Sequence, residues 1–295
     1  MHSETKTSFT SKIGLVMAAV GSAVGLGNIW KFPYIAGQNG GGAFLLVYLL
    51  CVTLFGLPLL ITEFVIGKHS GKSVYGAFRA LVGNNRWQWL GYSCIIATIL
   101  VMGFYSLVTG WCLKYLVDSL SSSLFEKANM ATYFSQISTN TVIMIVFGII
   151  SIVITGCVLW FDVNKGIEKI SKILTPLLLL IMLLMAGRVL MLPNSNAGMR
   201  FFFEADFSKI TPQVVVSAMG QSFFSLSVGL GALITYGAYM PKHQNIMGTS
   251  MQVVLLDTLV AILAGVIIFP AVFAFGLDPA EGPELVFVVL PFCIM

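Results

Sequence analysis

Charge is what this sequence has least of. Asp, Glu, Lys and Arg make up 9% of its 295 residues and hydrophobic residues 57%, whereas a soluble chain carries about 25% charged residues. So few charges cannot cover a water-facing surface, which excludes a soluble enzyme and a disordered chain and predicts a partner in the lipid bilayer. Histidine is nearly absent: His2, His69 and His243 all fall in polar segments and offer no metal cluster. Cys51, Cys94, Cys112, Cys157 and Cys293 form no CxxC or CxxH pair. A zinc site or secreted disulfide scaffold is thereby excluded, and they read as small core residues. Asn-x-Ser/Thr sequons are missing, as is a small-residue cleavage site after the first apolar stretch, so the N-terminus is expected to stay on the mature chain. The net charge of +4 lacks clustered basic density, and no nucleic-acid partner is expected.

What is abundant is apolar sequence in long runs. A hydrocarbon core of about 30 Å needs about 20 apolar residues per helix. Candidates lie at 13–36, 42–66, 88–117, 141–160, 170–192, 213–240 and 250–276. None alternates as a strand would, so the expected class is an all-α membrane protein with seven spans. Lys6, Lys12, Lys68, Lys72, Arg79, Arg86, Lys165, Lys169, Lys172 and Lys242 fall on one side of that arrangement, ten of the 16 basic residues. The positive-inside rule makes that side the cytoplasm, with the N-terminus in, in a multi-pass plasma (inner) membrane protein. Asp118, Glu126, Glu204, Asp206, Asp278, Glu281 and Glu284 fall in the opposite loops.

One tetrapeptide recurs: Val24-Gly25-Leu26-Gly27 in span 1 and Val228-Gly229-Leu230-Gly231 in span 6, an offset of 204 residues. Span 6 comes five spans after span 1, an odd number, so the two copies enter the membrane from opposite sides, as in an inverted repeat. Paired, Gly-interrupted spans point to a transporter binding site. An unwound turn frees backbone groups that hydrocarbon cannot satisfy, and these must face a cavity, a ligand or an ion. The same glycines also suit a close-packed helix–helix face, Gly21 to Gly25.

At these residues the sequence closely resembles the neurotransmitter:sodium symporter family. The resemblance runs from Gly21-Ser-Ala-Val-Gly-Leu-Gly-Asn-Ile-Trp-Lys-Phe-Pro-Tyr34 and Asn39-Gly-Gly-Gly-Ala-Phe44 to Gly56-Leu-Pro-Leu59 with Glu63, and to Gln221-Ser-Phe-Phe-Ser-Leu-Ser-Val-Gly-Leu-Gly231 with Thr235-Tyr236. It implies a leucine-transporter fold and sodium-coupled symport of a neutral, hydrophobic amino acid by alternating access. No enzymatic role, catalytic residue or organic cofactor is implied. The domains expected on that basis are a cytoplasmic segment 1–12, a first repeat 13–192 (spans 1–5), an outer loop 193–212, and the start of a second repeat at 213–295. The second copy is short of three spans, and a chain of that extent is expected not to drive uptake alone.

The resemblance also implies a site. Its first sodium position falls on Ala23, Asn28, Ser225 and Asp257, each offering oxygen, and half of its second on the carbonyls of Gly21 and Val24. The substrate carboxylate would meet the N–H groups at Leu26 and Gly27 and the hydroxyl of Tyr105. The pocket would include Ala23, Val101, Phe224, Ser225, Ser227 and Leu230. Tyr105 can instead be satisfied by a neighbouring carbonyl. Family members that carry amines without a carboxylate have an acid where Gly25 stands, so Gly25 favours an amino acid. Gates would be Phe224 with Tyr105, Lys31 where the family has arginine, and Lys6 with Phe9 where it has arginine and tryptophan. Lys31 can equally reach for the interface.

Glu63 and Asp257 lie well inside spans, where acids are expensive and functional by default. Glu63 reads as an acceptor for freed backbone N–H groups, and Asp257 as a covalent negative charge beside sodium. The run Gly67-x-x-x-Gly71-Lys72-Ser73 is one residue short of a P-loop and follows no strand, so it reads as a turn. Seven spans also match a seven-helix receptor or sensor, but span 250–276 has no lysine for a retinal Schiff base. The substrate's identity, sodium stoichiometry and oligomeric state are open at this point.

Overall fold

The structure, a computed structural model, describes residues 12–121, 124, 129–160, 164–241, 243–280 and 285–294. Lys6 and Phe9 lie outside the described residues. No strand occurs among the described residues. The helices are α1 (Lys12–Ala23), α2 (Phe32–Gln38), α3 (Gly42–Cys51), α4 (Leu57–Ser70), α5 (Val74–Val82), α6 (Gln88–Leu120), α7 (Met130–Thr139), α8 (Thr141–Leu159), α9 (Lys169–Leu190), α10 (Ser195–Phe203), α11 (Pro212–Ser225), α12 (Ala232–Ala238), α13 (Ile246–Ala274) and α14 (Leu285–Ile294). Wider π-helical turns at Gly27–Lys31, Val52–Gly56 and Asn164–Glu168 lead into α2, α4 and α9.

Among the described residues, five uninterrupted helical stretches are long and apolar enough to cross a membrane: Gly42–Ser70, Asn85–Leu120, Thr141–Leu159, Gly166–Leu190 and Ile246–Ala274. A sixth is the bent pair Ile13–Ala23 and Gly27–Gln38, which turns by 44° at its break. The remaining expected span, span 6 at 213–240, divides into α11 and α12. Residues 226–231 between them form turns and bends, and neither half alone reaches membrane length.

Outside the spans the structure is richer than hydropathy suggested. The outer loop expected at 193–212 carries α10, packed on α13 and α3, and the segment after span 3 carries α7. Asp118, expected in a loop, sits in the last turns of α6, where it is buried and paired with Lys114 one helical turn earlier. Cysteine burial is mixed: Cys51 and Cys293 are core, whereas Cys157 is exposed on the apolar face of α8.

The core is aromatic between α2, α3, α10 and α13. Phe32 meets Tyr48 edge-on at 5.0 Å and Phe202 at 6.2 Å, and Phe202 stacks on Phe269 at 5.2 Å. Elsewhere backbones touch. A Cβ at Gly67 would overlap the Ile234 carbonyl oxygen, and one at Gly237 would stand 2.7 Å from the Phe64 carbonyl oxygen. Only glycine lets α4 and α12 approach so closely. Lys68 at the end of α4 donates to the Gln244 carbonyl at 2.7 Å, which brings the turn before α13 to that end of the bundle.

Candidate functional site

Both recurring tetrapeptides lie where a span loses its helix. In span 1, α1 stops at Ala23 and the chain rewinds at Gly27, with the N–H groups of Asn28 and Ile29 returning to the Gly25 carbonyl at 3.1 and 3.2 Å. In span 6, α11 stops at Ser225, and Ser227, Gly229 and Gly231 take positive φ of 54°, 87° and 76° before α12 begins. Glycine takes those angles freely; serine does so at a cost. A Cβ added at Gly25 or at Gly229 would meet nothing within 4 Å, so each break has open space beside it. Freed N–H and C=O groups at such ends carry partial charge of both signs.

The breaks are laced to their surroundings by side chains. The Ser227 hydroxyl donates to the Ser22 carbonyl at 3.0 Å, joining one break to the other. The Gly229 N–H donates to Glu63 Oε1 at 2.6 Å, so the buried span 2 acid accepts from a backbone group that the break releases. Gln221 Nε2 donates to the Gly27 carbonyl at 2.9 Å, and the Thr98 hydroxyl to the Leu230 carbonyl at 3.0 Å.

Asn28, Ser225 and Asp257 converge, all of them at 0 or 1% exposure. Asn28 Nδ2 lies 3.0 Å from Ser225 Oγ, 2.8 Å from Asp257 Oδ1 and 3.0 Å from the Asp257 carbonyl. Ser225 Oγ donates to Asp257 Oδ2 at 2.8 Å, and the Tyr48 hydroxyl donates to Ser225 Oγ at 3.4 Å. Asn28 Oδ1 accepts from the Gly25 N–H at 3.3 Å. Apart from the Asn28 amide nitrogen, the groups facing one another in the cluster are oxygens, one carboxylate among them. That donor set suits a hard monovalent cation. Ala23, the last residue of α1, is buried. Among the described residues no group of three His, Cys, Asp or Glu side chains gathers as a metal site.

Across the break, Tyr105 and Phe224 stack with ring centroids 5.8 Å apart and planes 16° off parallel. Both close on Gly27: its Cβ position lies 3.3 Å from the Phe224 ring and 3.5 Å from the Tyr105 hydroxyl oxygen. That hydroxyl has no hydrogen-bond partner among the described residues, so no neighbouring carbonyl satisfies it. Lys31 does not reach for the interface. Its ammonium stands 3.5 Å over the Phe224 ring, a cation–π contact, and it has no ion pair among the described residues. Val101 lies one turn before Tyr105 on the same face of α6. Ser227 and Leu230 belong to the span 6 break, and Leu26 opens the rewound segment.

Gly21 and Val24 line a different space, a groove of about 420 Å³ between α1 and α9. A Cβ at Gly21 would lie 3.3 Å from Ser171 Oγ and 3.4 Å from Thr175 Oγ1. Sequence reasoning missed these two hydroxyls, together with Tyr48, Thr98 and Gln221. For Thr175, Tyr48, Thr98 and Gln221 a signal was present, each being a polar residue inside an apolar run, whereas Ser171 stands between Lys169 and Lys172.

Comparison with known proteins follows the same line. The sequence pattern of the sodium:neurotransmitter symporter family matches residues 6–144 and 129–291. YhdH, an uncharacterized sodium-dependent transporter of Bacillus subtilis (strain 168), is 41% identical over 293 residues, which take in 99% of this chain and 65% of YhdH. An uncharacterized sodium-dependent transporter of Haemophilus influenzae is 32% identical over 302 residues, 98% of this chain and 66% of its own. The crystal structure of MhsT in complex with L-phenylalanine superimposes with a TM-score of 0.93 at 40% identity, covering 98% of this chain and 66% of that one. The chain thus spans just under two thirds of the length of these proteins.

Proposed function

This chain belongs to the sodium:neurotransmitter symporter family, and from that premise we propose that it binds a neutral amino acid with a hydrophobic side chain together with sodium and carries both across the plasma membrane by alternating access. The seven-helix receptor reading falls with the family, whose relatives are transporters and not enzymes. The observation that carries the proposal is the Tyr105 hydroxyl. It is free of protein partners among the described residues and points toward the start of a helical segment, where N–H groups lack an upstream carbonyl.

A carboxylate placed there takes hydrogen bonds from Tyr105 and from the N–H groups at Leu26 and Gly27, and it gains from the positive helix end. Its negative charge lies beside the first sodium, held by Ala23, Asn28, Ser225 and Asp257. The side chain extends past Val101, Ser227 and Leu230 under Phe224, an apolar lining with one hydroxyl. Open space beside Gly25 leaves the amino group room without an acidic partner. MhsT was crystallised with L-phenylalanine, and an aromatic side chain fits this lining. Gly21 and Val24 contribute carbonyls to a second sodium, and Lys31 with Phe224 and Tyr105 forms the outer gate. Lys6 and Phe9 act at the inner one. The basic turns face the cytoplasm, as does the N-terminus.

Binding of radiolabelled L-phenylalanine to the purified protein tests this. Binding should require sodium and should be competed by leucine but not by lysine or by phenethylamine, which lacks the carboxylate. Sodium-independent binding, or equal competition by phenethylamine, overturns it.

A further inference from the structure

Acids vanish from a long stretch of this chain. Between Glu63 and Asp118 there is no Asp or Glu, while Lys68, Lys72, Arg79, Arg86 and Lys114 all occur. Lys68 is engaged with Gln244 and Lys114 with Asp118. Lys72, Arg79 and Arg86 are exposed, and none forms an ion pair among the described residues. Lys72 and Arg79 belong to the short connection between two membrane-spanning stretches, Gly42–Ser70 and Asn85–Leu120, and Arg86 stands at the very start of the second.

That connection is built, not loose. The amphipathic helix α5 buries Ala77 and ends at Gly83 in the left-handed conformation. The Asn84 side chain accepts from the Arg86 N–H at 3.0 Å and shapes the turn into α6. A Cβ at Gly91 would stand 2.7 Å from the Val74 carbonyl oxygen, so α5 and α6 meet backbone to backbone. Beside that contact Tyr75 and Tyr92 meet edge-on at 5.3 Å, with their hydroxyls 3.4 Å apart. Arg79 follows Tyr75 by one turn on α5, and Trp89 precedes Tyr92 by one turn on α6, so each shares a face with its tyrosine. Trp87 and Trp89 are 46% and 62% exposed.

Tyr and Trp with a polar tip and an apolar body are enriched where acyl chains meet headgroups. A short amphipathic helix with exposed Leu81 and Val82 lies at that depth too. The geometry points to a binding site for an anionic phospholipid at the α5–α6 corner. Lys72, Arg79 and Arg86 neutralise the headgroup phosphate, the Tyr75 and Tyr92 hydroxyls bond its oxygens, and Trp87 and Trp89 flank the acyl chains. Among the described residues the charge is of one sign and unopposed, and its position at headgroup depth selects a lipid over a soluble anion. This inference does not depend on which solute the protein carries.

The test is native mass spectrometry of the purified protein with phosphatidylglycerol or phosphatidylcholine added. The parent should retain phosphatidylglycerol in preference to phosphatidylcholine, and millimolar inorganic phosphate should not displace it. The triple variant K72Q/R79Q/R86Q should lose that preference by about tenfold or more, each basic residue near an anionic surface contributing several-fold. Arg79→Gln alone, which leaves the turn at Asn84–Arg86 untouched, should lose part of it even if the triple variant fails to fold. Unchanged preference in Arg79→Gln and in the triple variant, or displacement by inorganic phosphate, overturns the proposal.

Discussion

Ser225 donates its hydroxyl to Asp257 Oδ2 at 2.8 Å, tying the broken end of α11 to the middle of α13. The residues are 32 positions apart and both fully buried, and Asn28 from span 1 closes the triangle. A carboxylate so enclosed is expensive unless a cation or a donor set answers it.

The first prediction concerns that charge. In the proposed site Asp257 supplies a negative charge beside sodium that chloride would otherwise have to bring. A unit pair about 4 Å apart at an effective dielectric of 20 interacts by about 4 kcal/mol. Asp257→Asn should therefore weaken sodium binding by tenfold or more and make it respond to chloride, read as sodium-dependent phenylalanine binding in chloride and in gluconate. Matching sodium affinity and chloride response in parent and variant would show the charge-balance account to be wrong.

Tyr105→Phe removes a hydroxyl that bonds no protein group among the described residues, so thermal stability should not change. Amino-acid affinity should fall by about 10- to 100-fold, since a hydrogen bond to a charged group contributes about 1.5–3 kcal/mol. Equal affinity would place the carboxylate elsewhere.

Glu63 holds the Gly229 N–H at 2.6 Å. In Glu63→Gln a neutral amide oxygen replaces the carboxylate, and the expected loss is about 1 kcal/mol, the difference between charged and neutral hydrogen bonds. In Glu63→Ala the N–H loses its acceptor and the loss should reach about 2–3 kcal/mol. Chemical unfolding in detergent should rank them parent, Gln, Ala; an Ala variant as stable as the parent would show that the N–H finds another acceptor.

Lys31 adds a cation–π contact to Phe224, which stacks on Tyr105 in the proposed outer gate. Lys31→Met keeps the apolar stem and deletes the charge, removing about 0.5–2 kcal/mol. Phenylalanine should then dissociate a few times faster with little change in stability. An unchanged off-rate would remove Lys31 from the gate.

Much of this architecture could be read from sequence. Span positions followed from long apolar runs, because hydrocarbon admits only helices whose backbone bonds are internal. The recurring Val-Gly-Leu-Gly marked both breaks, and Asn28, Ser225 and Asp257 do meet. Residues that bond the broken backbone were harder to see. Thr98 and Gln221 reach carbonyls from other helices, and such contacts depend on how helices approach, which residue type alone does not encode. Helix α10 escaped because it is only nine residues long and lies between spans, where hydropathy carries no signal. Asp118 looks like a loop acid when charge stands alone against hydropathy, but its partner Lys114 sits one helical turn away and keeps it in α6.

The glycine contact between α4 and α12 has a mechanical consequence. Helices whose backbones touch at Gly67 and Gly237 have no layer of side chains in which to slide, and the Glu63–Gly229 bond ties α4 to the turn that leads into α12. They should therefore move as one rigid lever, hinged at the non-helical residues 226–231 that join α11 to α12. A covalent tether joining α4 to α12 should therefore leave a transport cycle running, whereas one bridging α11 to α12 across those six residues should stall it.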